Sequence, residues 1–180
     1  MNRNLKWGIV IIIAVALIAI VFFDGGGTST REDIHEDGAE ILYELPNLSF
    51  TNYNGAEVSF SDFSGKPLVI NAWATWCPFC VNELSDFVKL QKEFDDIVVI
   101  AINRRESPST AKEFTDSIGI SDDIIFLMNP NDSFYQQIGG FAMPETIFVN
   151  ADGGVVIQKR GFMTLEEMSE KTQELLADSQ

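Results

Sequence analysis

Cysteine and histidine are nearly absent: of 180 residues, two are Cys and one is His. Cys77 and Cys80 are the whole cysteine complement, and the lone His35 lies in a polar stretch remote from them. A zinc site needs four ligands, and neither a second cysteine pair nor nearby histidines supply the other two, so no metal is expected. Haem attachment calls for His directly after the second cysteine, and Val81 stands there. Basic residues are also scarce, 12 Lys and Arg against 27 Asp and Glu, for a net charge of −15. Such a chain repels nucleic acid and anionic headgroups, and the plain reading of its acidity is solubility. No internal repeat is visible. No cofactor is implied.

One long apolar run is present. Trp7 to Phe23 is uninterrupted for about 17 residues, the lower limit for a membrane-spanning helix. Arg3 and Lys6 precede it, and Asp24, Glu32, Asp33, Glu36 and Asp37 follow, so the positive-inside bias keeps the N-terminus cytoplasmic and exports the remainder. The rival reading is a cleaved signal peptide, whose apolar region of about 7–15 residues ends at small residues. This run ends Ile20-Val21-Phe22-Phe23, and Ala14-Val15-Ala16 sits in its middle, which favours a retained anchor. No cysteine follows the run to carry a lipid. The expected organisation is a cytoplasmic N-terminus over 1–6, a transmembrane anchor over 7–23, a flexible acidic linker over 24–40 and one folded domain over 41–180. With Arg3 and Lys6 set aside, ten basic side chains face 27 acidic ones, a net −17 on the exported part. Outside the cytoplasm a disulfide can persist.

The two cysteines stand in Trp76-Cys77-Pro78-Phe79-Cys80. Two intervening residues let both thiols share one helical turn and close a small disulfide. Upstream, Leu68 to Trp73 is a β-rich apolar run; downstream, Val81, Leu84, Phe87, Val88 and Phe94 recur at helical spacing. The pair therefore lies where a strand meets a helix. Cys77 falls at the exposed helix start, where free backbone N–H groups and the dipole favour a thiolate and lower its pKa from about 8.5. Pro78 takes the first helical position, where a missing N–H costs nothing. A purely structural disulfide stays open, although so short a loop stabilises little.

The rest reads as strands and helices in alternation. Leu48 to Tyr53 and Glu57 to Phe60 form a hairpin about Asn54-Gly55. Ile97 to Ile102 and Ile124 to Met128 are buried strands, with a helix from Pro108 to about Ile118 between them, capped by Ser107. Asn131-Asp132 caps a short helix, Phe141 to Val149 is a strand with Pro144 near its start, and Val155 to Lys159 pairs back on it. Thr164 and Glu167 open a final helix through Leu176 as a capping box. These elements make an α/β domain with a mixed sheet flanked by helices.

The run Asn71-Ala72-Trp73-Ala74-Thr75-Trp76-Cys77-Pro78-Phe79-Cys80, the Gly55-to-Gly65 segment before it and Met143-Pro144 resemble the thioredoxin fold, in its membrane-anchored, extracytoplasmic TlpA/ResA-like branch. The likeness spans roughly Leu45 to Leu176. It implies a redox-active disulfide between Cys77 and Cys80, and a cis peptide between Met143 and Pro144. It also implies that the Met143 backbone hydrogen-bonds an extended substrate. On sequence alone, Pro144 would only be a proline at a strand start. Glu83, three residues after Cys80, matches a Glu that handles the proton of the second cysteine in ResA-like proteins; its other reading is a helix acid favoured by the dipole. Asn71 stands where thioredoxins carry a buried Asp, and an amide cannot titrate. Trp73 is expected in the core, Trp76 at the rim, and Phe79 exposed for substrate docking. Glu145, where relatives often have Thr, places an acid beside the substrate groove.

The function so implied is thiol–disulfide exchange by Cys77 and resolution by Cys80. The resemblance suggests reduction of exported disulfides such as that of apocytochrome c, with electrons from a membrane partner. A disulfide-donating oxidase and a non-catalytic binding module of the same fold are the alternatives.

Overall fold

Leu68 to Trp73 is buried at all six positions, and the whole architecture follows from a strand that must be covered on both faces. A computed structural model describes residues 40–177 of the chain. The expected cytoplasmic segment, the anchor over 7–23 and all of the tether but Glu40 lie outside the described residues. Among the described residues no helix is long and apolar enough to cross a membrane.

In chain order the strands are β1 (Tyr43–Glu44), β2 (Ser49–Asn52), β3 (Glu57–Ser59), β4 (Leu68–Trp73), β5 (Val98–Arg104), β6 (Ile125–Asn129), β7 (Glu145–Val149) and β8 (Gly154–Arg160). The helices are α1 (Pro78–Glu93), α2 (Pro108–Ser117), α3 (Ser133–Gln137) and α4 (Leu165–Ala177). The described strands form one sheet ordered β1-β8-β7-β4-β5-β6-β2-β3. The pairs β4 with β5 and β5 with β6 are parallel, joined through α1 and α2, whereas β7 lies antiparallel to both β4 and β8. This is the thioredoxin-like α/β fold with a mixed sheet.

Alternation on β4 sends Val69 and Trp73 to one face and Leu68, Ile70 and Ala72 to the other. The first face is closed by Leu84, Phe87, Val88 and Leu90 of α1, Ala111 of α2, and Met168 and Leu175 of α4. The second is closed by Phe134 and Ile138 at α3 together with Phe50 and Phe60. Phe50, Phe60 and Phe134 meet with ring centroids 5.0 to 6.2 Å apart, so the β2–β3 segment is welded to the sheet by aromatic edges as well as by pairing.

Several local expectations change in detail. The turn after β2 depends on Gly55 at φ +77°, with the Asn52 side chain taking the N–H groups of Asn54 and Ala56. Phe60–Phe63, expected in part as strand, is a 3₁₀ turn, because Ser59 and Asp62 form a capping box there. Strand β7 starts only at Glu145, since Phe141 and Ala142 are tied to side chains instead of to a neighbouring strand. Asp132 stands at the N-cap of α3 but makes no capping bond; its carboxylate is turned to Arg104. At α4 only half of the expected box forms. Thr164 accepts from the Glu167 N–H, while the Glu167 carboxylate pairs with Lys159 in a stronger, charge-assisted bond. Strand β1, not anticipated, closes the β8 edge at Tyr43 and Glu44.

Candidate active site

The end of β4 delivers the chain to the motif, and α1 begins three residues after Thr75. Cys77 is the N-cap of α1, in an extended conformation, and Pro78 is its first helical residue. The Cys77 Sγ accepts the Cys80 N–H at 3.2 Å, as a capping serine oxygen would. Cys77 and Cys80 form a disulfide, with Cα atoms 5.3 Å apart. Cys80 is fully buried. Cys77, expected at an exposed helix start, shows only 5% of its surface, whereas its neighbours Trp76, Pro78 and Phe79 are exposed. Of the two cysteines, only Cys77 keeps any exposed surface.

The loop carrying the motif is anchored from β5. The Glu106 carboxylate accepts from both the N–H and the hydroxyl of Thr75, and from Asn103 Nδ2 at 2.7 Å. Trp73 is in the core as expected, and Trp76 and Phe79 are 58% and 62% exposed. Phe79 leans on Phe162, 41% exposed, with ring centroids 6.4 Å apart. Phe141 is 87% exposed just before Met143. The Met143–Pro144 peptide is cis.

Glu83 has no solvent exposure, which removes the reading of a solvated helix acid. Its Oε1 accepts the Met163 N–H from the loop after β8, and among the described residues its Oε2 has no partner. Burial, reinforced by the charges of Asp86 and Glu167, raises its pKa to about 8, although the Met163 bond and Lys159 act the other way. The periodicity that puts Glu83 on the face of Cys80 was readable. That this face is sealed by a loop eighty residues away was not. Asn71, also buried, donates to Thr146 Oγ1 at 3.0 Å and brings no titrating group to the site.

Glu145, expected beside the substrate groove, is wholly buried, accepting from the N–H groups of Phe141 and Ala142 and from Gln158, and facing Arg160 at 3.3 Å. Two residues that the sequence reading passed over, Glu106 and Tyr135, tie down the loops on either side of the disulfide. Their only sequence signal is a polar side chain just past the end of a strand or within a short helix, which is too common to single them out.

A disulfide at a helix N-terminus that can open to a dithiol can exchange electrons with a protein disulfide. Comparison with known proteins agrees. The Redoxin family model matches residues 43–176. The thiol-disulfide oxidoreductase ResA of Halalkalibacterium halodurans is 31% identical over 177 residues, 97% of each chain. The thioredoxin-like protein YneN of Bacillus subtilis is 27% identical over 92% of this chain and 96% of its own. Among solved structures, a thioredoxin-family thiol:disulfide interchange protein from Chlorobium tepidum superposes with a TM-score of 0.66 at 23% identity, covering 77% of this chain and 98% of that one, a likeness of fold. By motif, fold and relatives together, the chain belongs to the Redoxin family, in its TlpA/ResA-like group, and is a thiol–disulfide oxidoreductase.

Proposed function

We propose that this oxidoreductase works as a reductase of exported protein disulfides, apocytochrome c among the candidates, held outside the cytoplasm by the apolar segment over 7–23. In the reduced protein the Cys77 thiolate attacks one sulfur of the partner's disulfide, the partner's S–S bond breaks, and the departing sulfur takes up a proton. Cys80, deprotonated, then attacks the Cys77 sulfur, releasing the partner's second thiol and leaving Cys77–Cys80 oxidised. Two electrons pass to the partner, and a membrane dithiol donor restores them. Glu83 accepts the Cys80 proton: a carboxyl raised to about 8 is matched to a thiol near 8.5, so the transfer is close to even in energy. The partner chain lies extended along the Met143 backbone and against Trp76, Pro78 and Phe79, with Pro144 closing the groove. Among the described residues, neither backbone polar group of Met143 is engaged.

The observation that carries the direction of electron flow is the cap. Cys77 keeps the dipole of α1 and the Cys80 N–H, but Pro78 supplies no amide and Phe79 no charge. Strongly oxidising relatives of this fold stabilise the thiolate far more, to a pKa of about 3.5. A thiolate helped this modestly keeps a disulfide that is hard to reduce, with an expected potential between about −200 and −300 mV. Equilibrating the full chain in glutathione and thioredoxin buffers measures it, and a value above about −160 mV makes the protein an oxidase instead.

The placement rests on Arg3 and Lys6 before the apolar run and acids after it. Protease added outside intact cells or spheroplasts is expected to release the folded domain. Protection of the domain while outer-face control proteins are cut refutes the export.

A further inference from the structure

Between the end of α3 and Glu145 the chain makes no ladder bonds, yet this segment leads directly into Met143. Side chains from three elements hold it instead. Gln158 Nε2 donates to the Ile138 carbonyl at 3.0 Å. Glu145 Oε2 takes the N–H groups of Phe141 and Ala142 at 3.0 and 3.3 Å. The Tyr135 hydroxyl donates to the Ala142 carbonyl at 2.9 Å, and this last bond is the one adjacent to Met143.

Tyr135 is itself fixed with unusual care for a half-buried residue on a helix of barely one turn. The Arg104 guanidinium lies over its ring, 3.3 Å from the centroid. That guanidinium is locked by two 2.6 Å bonds to Asp132, in a buried pair. To reach it, Asp132 takes a left-handed conformation, φ +61°, and gives up capping α3. Asn131 and Asn129 accept the Ser133 and Phe134 N–H groups in its place. A Cβ added at Gly140 would stand 2.5 Å from the Tyr135 ring, so only glycine allows the contact. A helix cap diverted from its own helix, a stacked guanidinium and an obligatory glycine converge on one phenol, and that phenol holds one carbonyl.

We propose that Tyr135 is a positioning residue for the exchange reaction: through the Ala142 carbonyl it sets the Met143 backbone edge against which the substrate strand lies. The proposal rests on the reading of Met143 given above. The bond is made before substrate arrives and does not touch the sulfurs. Its loss should weaken the docking of an extended chain and leave the chemistry at Cys77 alone.

The test uses the reduced full chain and three oxidants. One is a peptide closed by a single disulfide, the second is that peptide with the backbone amides beside its cysteines N-methylated, and the third is glutathione disulfide. Tyr135→Phe keeps the ring and the stack and removes only the hydrogen bond. It is expected to raise KM for the unmodified peptide about 3- to 10-fold, the range for one buried hydrogen bond, with kcat unchanged. The rates with the N-methylated peptide and with glutathione disulfide should stay as in the wild type. Gly140→Ala, which pushes a methyl into the ring, should give the same split. An unaltered KM in Tyr135→Phe, with the wild type still preferring the unmodified peptide, overturns the role of Tyr135 and spares that of Met143. A wild type that does not distinguish the two peptides overturns the Met143 reading and the proposal with it. A uniform loss on all three oxidants makes Tyr135 merely structural and also overturns it.

Discussion

Cys80→Ser is expected to turn the protein into a trap that accumulates disulfide-linked partners, while Cys77→Ser captures nothing, and turnover falls to background in both. The asymmetry follows from the helix start. Cys77 is the N-cap, keeps 5% of its surface exposed and accepts the Cys80 N–H; Cys80 lies within the first turn and is fully buried. An incoming disulfide meets Cys77, and only a second thiol in the same turn is close enough to break the resulting bond. Non-reducing gels of cells carrying each variant, followed by mass determination of the linked species, read the outcome. Capture by Cys77→Ser, or equal alkylation of both thiols in the reduced native protein, reverses the assignment. The same experiment separates an enzyme from an inert module of this fold, which would trap nothing with either variant.

Glu83→Gln should slow the resolving step about 10- to 100-fold, the lower range for a proton-transfer group that water can partly replace. In the wild type the rate of that step should rise with pH through about 8, as Glu83 becomes the carboxylate that can take the Cys80 proton. The Gln variant should lose this inflection and keep its first-step rate. Stability moves the opposite way. Burial raises the folded carboxyl from 4.5 to about 8, so between these values the folded state holds a proton that the unfolded chain has lost. Stability from this group is therefore complete below pH 4.5 and declines as pH rises through 8. Above pH 8 the charged, buried carboxylate costs on the order of 5 kcal/mol, the shift expressed in free energy. Glu83→Gln should then melt higher than the wild type at pH 9 and alike at pH 4. A variant slower in resolution and more stable at alkaline pH marks a group kept for chemistry. An unchanged rate and pH profile leaves Glu83 only a buried acid bonded to Met163.

Where the sequence spoke, it spoke through short-range pattern. Two cysteines with two residues between them, after an apolar run and before residues at helical spacing, place a dithiol at a strand-to-helix junction. Leu68–Trp73 and the capped start of α1 appear in the structure within the expected bounds. These features are local: a period of two, a period of 3.6 and a proline at the first helical position depend on neighbours in the chain. The order of elements then leaves few ways to pair them. What the sequence could not rank was the polar residues. Glu83 and Glu145 look like two of many acids in a chain of net charge −15, and only packing decides that both are buried. One is silent at Met163, eighty residues on, with its pKa lifted by burial; the other spends its oxygens on two amides of the loop before Pro144. Tyr135 could not be singled out, because its partners Arg104 and Asp132 meet it only once β5 and β6 lie side by side. The kind of chemistry was fixed by residues within four positions of each other, whereas the proton handling proposed for Glu83 and the substrate edge proposed at Met143 depend on burial and on hydrogen bonds between segments that the chain alone keeps apart.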